Sequence, residues 1–183
     1  MKLEVLEKDC YYHIYNRGID GVTIFENDNN KIYFLNQLSR YSEDKISILA
    51  YCLMSNHFHL VIRLNTEEKE VTQLLSNFFN SYAKAFNKQK NRTGSLFEKH
   101  FKRIKLKDEN YLKQLILYVH LNPTHHFDSD FKSFKFSSFQ AFLSDKETKI
   151  VREEVLELFG DLENFLFFHN QKNNLLNETY TFE

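Results

Sequence analysis

His57 and His59 stand one residue apart in Cys52-Leu53-Met54-Ser55-Asn56-His57-Phe58-His59-Leu60-Val61-Ile62, at the head of an apolar run rich in strand formers. Successive side chains of a β-strand point to opposite faces, so the two imidazoles look one way and Phe58, Leu60 and Ile62 the other. Paired imidazoles on one side of a rigid strand are half of a metal site; they also fit the polar face of an ordinary half-buried strand. A candidate partner is Tyr118-Val119-His120-Leu121-Asn122-Pro123, where Tyr118 and Asn122, four apart, share one face of a helix. Two imidazoles and a carboxamide oxygen suit a divalent ion with open positions, Mg²⁺ or Mn²⁺, better than a closed structural zinc site. The chemistry this permits is transesterification at a phosphodiester. The metal polarises the scissile phosphate, and a tyrosine attacks phosphorus to give a covalent intermediate. A phenol with a pKa near ~10 needs activation by its surroundings. On residue chemistry alone, Tyr118 also fits a plain amphipathic position at a helix–core boundary.

Other tyrosines and histidines compete for these roles. Tyr111 opens the same helix two turns earlier, and Tyr82 lies on the core stripe of another, so both read as packing residues. His120 points well away from the face of Asn122 and reads as structural. His125 and His126, just past the proline, could touch a phosphate but equally fit idle histidines of a surface loop.

These side chains need a sheet and a helix to hold them. Residues 11–17 read as a first strand, stopped by Gly18 and a polar turn with Asp20-Gly21. Asp28-Asn29-Asn30 can cap a helix from about 30 to 42. Ile46 to Met54 and His57 to Leu64 make an antiparallel hairpin with the histidines near its bend. A helix over about 70–88 follows from the recurrence of Val71, Leu74, Leu75, Phe78, Phe79, Tyr82 and Phe86. Leu96 to Leu106 is partly extended. Asp108 caps a helix over about 109–121, which Pro123 is expected to close. A short helical pattern lies within 131–143, and a helix or helix pair within about 148–168. The last dozen residues carry no firm pattern. Strand, helix, strand, strand, helix, strand is the split βαβ plan: an α+β, ferredoxin-like antiparallel sheet with helices on one face. The tyrosine-bearing helix and a C-terminal helical extension are added to it. The histidine face is then open to a later helix.

The 183 residues fit one domain, 1–143, with an acidic C-terminal helical extension over 144–183. Apolar content of 42%, carried by 19 Phe and 10 Tyr with one Pro and four Gly, excludes a collagen-like chain and disfavours a disordered one. Cys10 and Cys52 are too few for a disulfide framework. With no apolar signal core at the start and no run long enough to span a bilayer, a cytoplasmic protein without membrane contact is expected. The net charge of −1 hides an asymmetry: residues 84–113 hold ten Lys or Arg against three acids, and residues 144–183 nine acids against four bases. A basic middle is what phosphate contacts require. Arg17, Arg92, Lys99, Lys102, Arg103 and Lys105 are the expected contacts, although an exposed charged face would have the same composition.

Leu53-Met54-Ser55-Asn56-His57-Phe58-His59 resembles the signature of HUH-type single-tyrosine transposases. Tyr12-His13-Ile14-Tyr15-Asn16-Arg17-Gly18 resembles their opening strand, and Gly94-Ser95-Leu96-Phe97 the turn after their long helix. Tyr118 to Pro123 resembles the tyrosine helix with its Asn-Pro end, and Phe136-Ser137-Ser138 a Trp-Ser-Ser-like element. Phe97-Glu98-Lys99-His100-Phe101 departs from the Gln-x-Arg-like pattern usual after that turn. Over about residues 11–143 the chain is similar to the REP-associated tyrosine transposase branch. The resemblance implies binding of a single-stranded DNA hairpin, with Mg²⁺-dependent nicking and joining through a 5′-phosphotyrosine and a free 3′-OH. It implies His57, His59 and Asn122 as metal ligands and Tyr118 as nucleophile, in a monomer or a homodimer. Two alternatives remain open: a non-catalytic hairpin-binding regulator of the same fold, and a metal phosphoesterase with water as nucleophile.

Overall fold

A computed structural model describes residues 4–127 and 129–172. Four strands, β1 (Tyr11–Arg17), β2 (Ile46–Leu53), β3 (His57–Leu64) and β4 (Lys102–Lys105), form one antiparallel sheet in the order β2-β3-β1-β4. With α1 (Asp28–Ser42) and α2 (Glu68–Gln89) as crossovers, this is the expected ferredoxin-like split βαβ plan.

One face of the sheet is apolar because of strand parity. Ile14 pairs with Leu60 and Asn16 with Phe58 across β1 and β3, and Leu53 pairs with Phe58 across β2 and β3. The Phe58 ring lies 5.0 Å from Phe34 of α1 and 5.3 Å from Phe79 of α2, and Phe34 lies 4.8 Å from Phe78. Truncating a buried ring such as Phe58 leaves a cavity between three elements, at a typical cost of about 3–5 kcal/mol. Asn27 caps α1 by accepting from the Asn30 amide at 3.1 Å.

The opposite face is covered as well. It is packed by α3 (Glu109–Phe127), followed by α4 (Phe139–Phe142), α5 (Arg152–Phe159) and α6 (Leu162–Lys172). Asp108 caps α3 as expected, its carboxylate accepting from the Tyr111 amide at 2.8 Å. The expected end at Pro123 is not observed: α3 runs on to Phe127 with the proline inside it. Pro123 has no amide to give the Val119 carbonyl, a defect worth about 3 kcal/mol in an exposed helix. Here Leu121 and Pro123 are both buried, and burial of their apolar surface offsets the lost bond.

Residues 136–138 close the free edge of β2. The Leu53 amide donates to the Phe136 carbonyl at 3.0 Å, and the Ser138 amide to Tyr51 at 3.0 Å. At the far end of the sheet, Glu154 of α5 accepts a two-pronged pair from Arg63 at 2.9 and 3.0 Å and a bond from the Tyr11 hydroxyl at 2.9 Å. The acidic excess of residues 144–172 thus partly serves to dock α5 through Glu154, while residues 173–183 lie outside the described part. Among the described residues no helix is long and apolar enough to cross a membrane. Cys10 and Cys52 are both free thiols.

Candidate active site

The hairpin bend places the histidines. The Met54 amide donates to the His57 carbonyl at 2.9 Å across Ser55-Asn56, so β3 starts at His57. Antiparallel pairing puts Tyr15 opposite His59 and Arg17 opposite His57, all on the face that meets α3. The His57 and His59 rings are 5.2 Å apart and nearly perpendicular. Each has its Nδ1 engaged: His57 with Asn56 Oδ1 at 2.8 Å, His59 with His13 Nε2 at 2.9 Å. Nε2 is therefore the nitrogen through which either could ligate a metal.

The helix completes the site within the same chain. Tyr118, Asn122 and His126 recur every four residues and form one stripe of α3. The first of them sets its ring edge-on to His59 at 5.6 Å and to His13 at 6.5 Å. The last sets its ring 5.3 Å from His57. Asn122 lies between these two anchors, fully buried. Its amide nitrogen donates to the Tyr118 carbonyl at 3.4 Å, and its Oδ1, also buried, accepts no hydrogen bond. A buried acceptor in that condition costs about 1–3 kcal/mol unless something fills its lone pairs. A divalent ion beside the imidazoles would do so. No three His, Cys, Asp or Glu among the described residues are grouped to hold a metal. The donor set that fits one is two imidazoles and this carboxamide.

A cavity of about 580 Å³ opens over the two histidines, lined by Tyr15, Arg17, His57, His59, Glu98, Lys102 and His126 among others, with Tyr118 and Asn122 behind its wall rather than in its lining. The expected phosphate contacts divide on either side of it. Arg17 and Lys102 line the cavity, with Arg17 ion-paired to Glu98. Lys99 lines a neighbouring groove of about 560 Å³ between α2 and the 94–101 loop, which shares Asn16 and Glu98 with the cavity. Arg92 staples its own turn, donating to Asn87 at 2.8 Å and to the Ser95 carbonyl at 3.1 Å. Arg103 and Lys105 pair with Ile14 and Tyr12 and so belong to the other face of the sheet. Arg103 lies 5.6 Å over Phe101, and Lys105 meets Glu7 at 2.8 Å.

The rival tyrosines are placed elsewhere. Tyr82 is buried, its hydroxyl donating to the Ile24 carbonyl at 2.5 Å, and burial pushes its phenol far above the ordinary range. Tyr111 packs against the core. His120 is buried on the far side of α3 in contact with Ser138 and His169. Two residues of the site carry no expectation from sequence, and a third, His126, stands on the helix rather than in the expected loop. Tyr15 and His13 share the parity of Arg17 on β1, but only the β1–β3 register shows which parity meets the histidines. His126 enters because α3 continues through Pro123.

This sheet, with a His-x-His strand facing a tyrosine on a docked helix, is the arrangement of HUH-type single-tyrosine transposases. The model of the IS200-like transposase family matches residues 7–122, and the chain belongs to that family, whose members cut DNA and transfer strands. The match ends at Asn122 and so includes both histidines and Tyr118. Among solved structures, a REP-associated tyrosine transposase bound to a REP hairpin is similar in fold, with a TM-score of 0.59 and 12% identity over 79% of this chain and 86% of that one. The tRNA(His) guanylyltransferase of Saccharomyces cerevisiae is more distant, at a TM-score of 0.42 and 13% identity over 90% of this chain and 84% of that one. No curated protein matches the chain by sequence.

Proposed function

We propose that the protein binds a single-stranded DNA hairpin and nicks and rejoins the strand through a covalent link to Tyr118. The observation that carries this is the meeting, in one chain, of the Tyr118 and His59 rings at 5.6 Å with the unfilled Asn122 Oδ1 one turn further along α3. Support for a hairpin substrate comes from the similar transposase solved with a REP hairpin.

His57, His59 and Asn122 would hold a divalent ion, Mg²⁺ or Mn²⁺. When bound, such an ion supplies Lewis-acid polarisation of a phosphate oxygen and offsets the charge that builds up as phosphorus becomes five-coordinate. The chain's own groups do the rest. Arg17 and Lys102, at the cavity wall, orient the strand by its phosphates. Tyr118 forms a bond from its phenolic oxygen to phosphorus as the bond to the 3′-oxygen breaks. The phenol gives up its proton, the 3′-oxygen takes one up, and the 5′-phosphate stays on the enzyme. Attack by a 3′-hydroxyl on that phosphotyrosine reverses the step and joins strands. Half-burial of Tyr118 between sheet and helix keeps the linkage away from bulk water.

The test is a denaturing-gel assay for a protein–DNA adduct on a hairpin oligonucleotide with Mn²⁺ or Mg²⁺. The native chain forms the adduct; Tyr118→Phe forms none, while Tyr15→Phe, which keeps the nucleophile, still does. No adduct from the native protein despite binding would favour a non-catalytic hairpin-binding regulator. Strand cleavage that persists in Tyr118→Phe would instead indicate a water nucleophile.

A further inference from the structure

His13 sits on β1 within the YHIYNR strand, 1% exposed, where it touches both the metal-side and the nucleophile-side groups of the site. Its Nε2 is 2.9 Å from His59 Nδ1, and its ring is nearly parallel to His59 at 5.1 Å and stacked on Tyr15 at 4.6 Å. The edge-on ring of Tyr118 is 6.5 Å away. A hydrogen bond between two neutral imidazoles needs one N–H and one lone pair, so this pair has two arrangements. In one, His59 carries its proton on Nδ1, donates it to His13, and presents a bare Nε2 lone pair. In the other the proton of His59 is on Nε2, and no lone pair is presented there.

The neighbouring histidine indicates which arrangement the site is built for. Asn56 Oδ1, which can only accept, takes the Nδ1–H of His57 at 2.8 Å and leaves Nε2 as the ligating nitrogen. A ligating histidine generally gives its other N–H to such an acceptor, which sets its tautomer and ring orientation. We propose that His13 is the positioning residue of the candidate metal centre: it accepts from His59 Nδ1–H and so turns His59 Nε2 toward the ion, as Asn56 does for His57. This rests on the metal reading of His57, His59 and Asn122. His13 touches no substrate in this scheme and acts only through His59.

The experiment is Mn²⁺ titration of the full chain without DNA, by calorimetry or by loss of the free-ion EPR signal. Native protein, His59→Ala, His13→Phe and His13→Gln are compared, with thermal melts in metal-free buffer reporting the fold. Phe fills the space but accepts nothing, and loss of the outer partner of a ligating histidine typically costs 10–100-fold in metal affinity. His13→Phe should weaken Mn²⁺ by that factor, and His13→Gln, whose Oε1 can accept, should recover most of it. Native affinity in His13→Phe, with His59→Ala defective, overturns the role of His13 alone. No Mn²⁺ binding by the native chain, or undiminished binding by His59→Ala, overturns the metal reading and this proposal with it. Should the variants not fold, long-range ¹H–¹⁵N correlation on the native, metal-free protein decides: a proton on His59 Nδ1 supports the proposal, and one on Nε2 refutes it.

Discussion

The tyrosine helix and the C-terminal extension share a buried pair of imidazoles whose response to acid can be worked out. His120 of α3 is fully buried. Its Nδ1 lies 2.9 Å from His169 Nε2 of α6, and its Nε2 lies 2.7 Å from the Ser138 hydroxyl, which in turn accepts from the Tyr51 amide of β2 at 2.9 Å. The other nitrogen of His169, Nδ1, donates to the Phe165 carbonyl at 2.7 Å. Around the pair stand the rings of Phe131, Phe139, Phe142, Phe159 and Phe165, with no carboxylate among these contacts. Burial drives His169 down to about 4 from an ordinary 6.5. Burial first, and then the charge of His169, holds His120 well below its ordinary value.

A histidine whose folded pKa is depressed contributes stability that is complete above the unfolded value and lost as pH falls through the folded one. The window for His169 is therefore about pH 6.5 down to 4. That fall from 6.5 to about 4 is worth about 3 kcal/mol over the whole window, of which about 2 kcal/mol is lost between pH 7 and 5. His120 shifts in the same direction and adds to this. Against a typical domain stability of about 5–15 kcal/mol, that is a large fraction. The assay is urea denaturation of the full chain at pH 7 and 5, for the native protein and for His169→Gln, which cannot titrate. Carboxylates contribute equally to both proteins and cancel in the comparison. The native protein should lose about 2 kcal/mol more than the variant between the two pH values. Parallel losses would show that the pair is not held neutral, and that α6 does not fasten the back of the tyrosine helix in this way.

Other outcomes follow from single contacts. Lys102→Gln should lower the salt dependence of single-stranded DNA binding by about 0.7 in log K against log salt, the share of one phosphate, whereas Lys105→Gln, on the other face and held by Glu7, should leave it unchanged in filter binding. Glu98→Gln removes the carboxylate paired with Arg17 at the cavity wall and should tighten DNA binding in the same assay. Tyr82→Phe should cost about 1 kcal/mol in denaturant titration through its lost bond to Ile24, with adduct formation retained. Gly18→Ala should destabilise the turn after β1, because an added Cβ would stand 2.0 Å from the Val22 carbonyl oxygen; a melt that matches the native protein would refute it.

What was legible in the sequence, and what was not, divides by the range of the interaction that decides it. The parity of His57 and His59, the cap at Asp108 and the four-residue spacing of Tyr118 and Asn122 are local, and each is found as expected. Pro123 misleads because a local rule is overridden: burial of Leu121 and Pro123 carries the helix through it, and His126 thereby reaches His57. For the cations, the alternation of Lys102 against Arg103 and Lys105 is visible in the chain. Which alternate faces the cavity depends on the pairing of Tyr15 with Lys102, a contact between residues 87 positions apart. The same holds for His13, whose partner His59 belongs to a strand 46 residues later. A face is chosen by register, and register is set by the apolar side, since a slip of one residue would turn Phe58 out of the core and His59 into it. The packing of Phe58 against Phe34 and Phe79 is thus what keeps His59, His13 and Tyr118 on one side of the sheet, and the site depends on a core it does not touch.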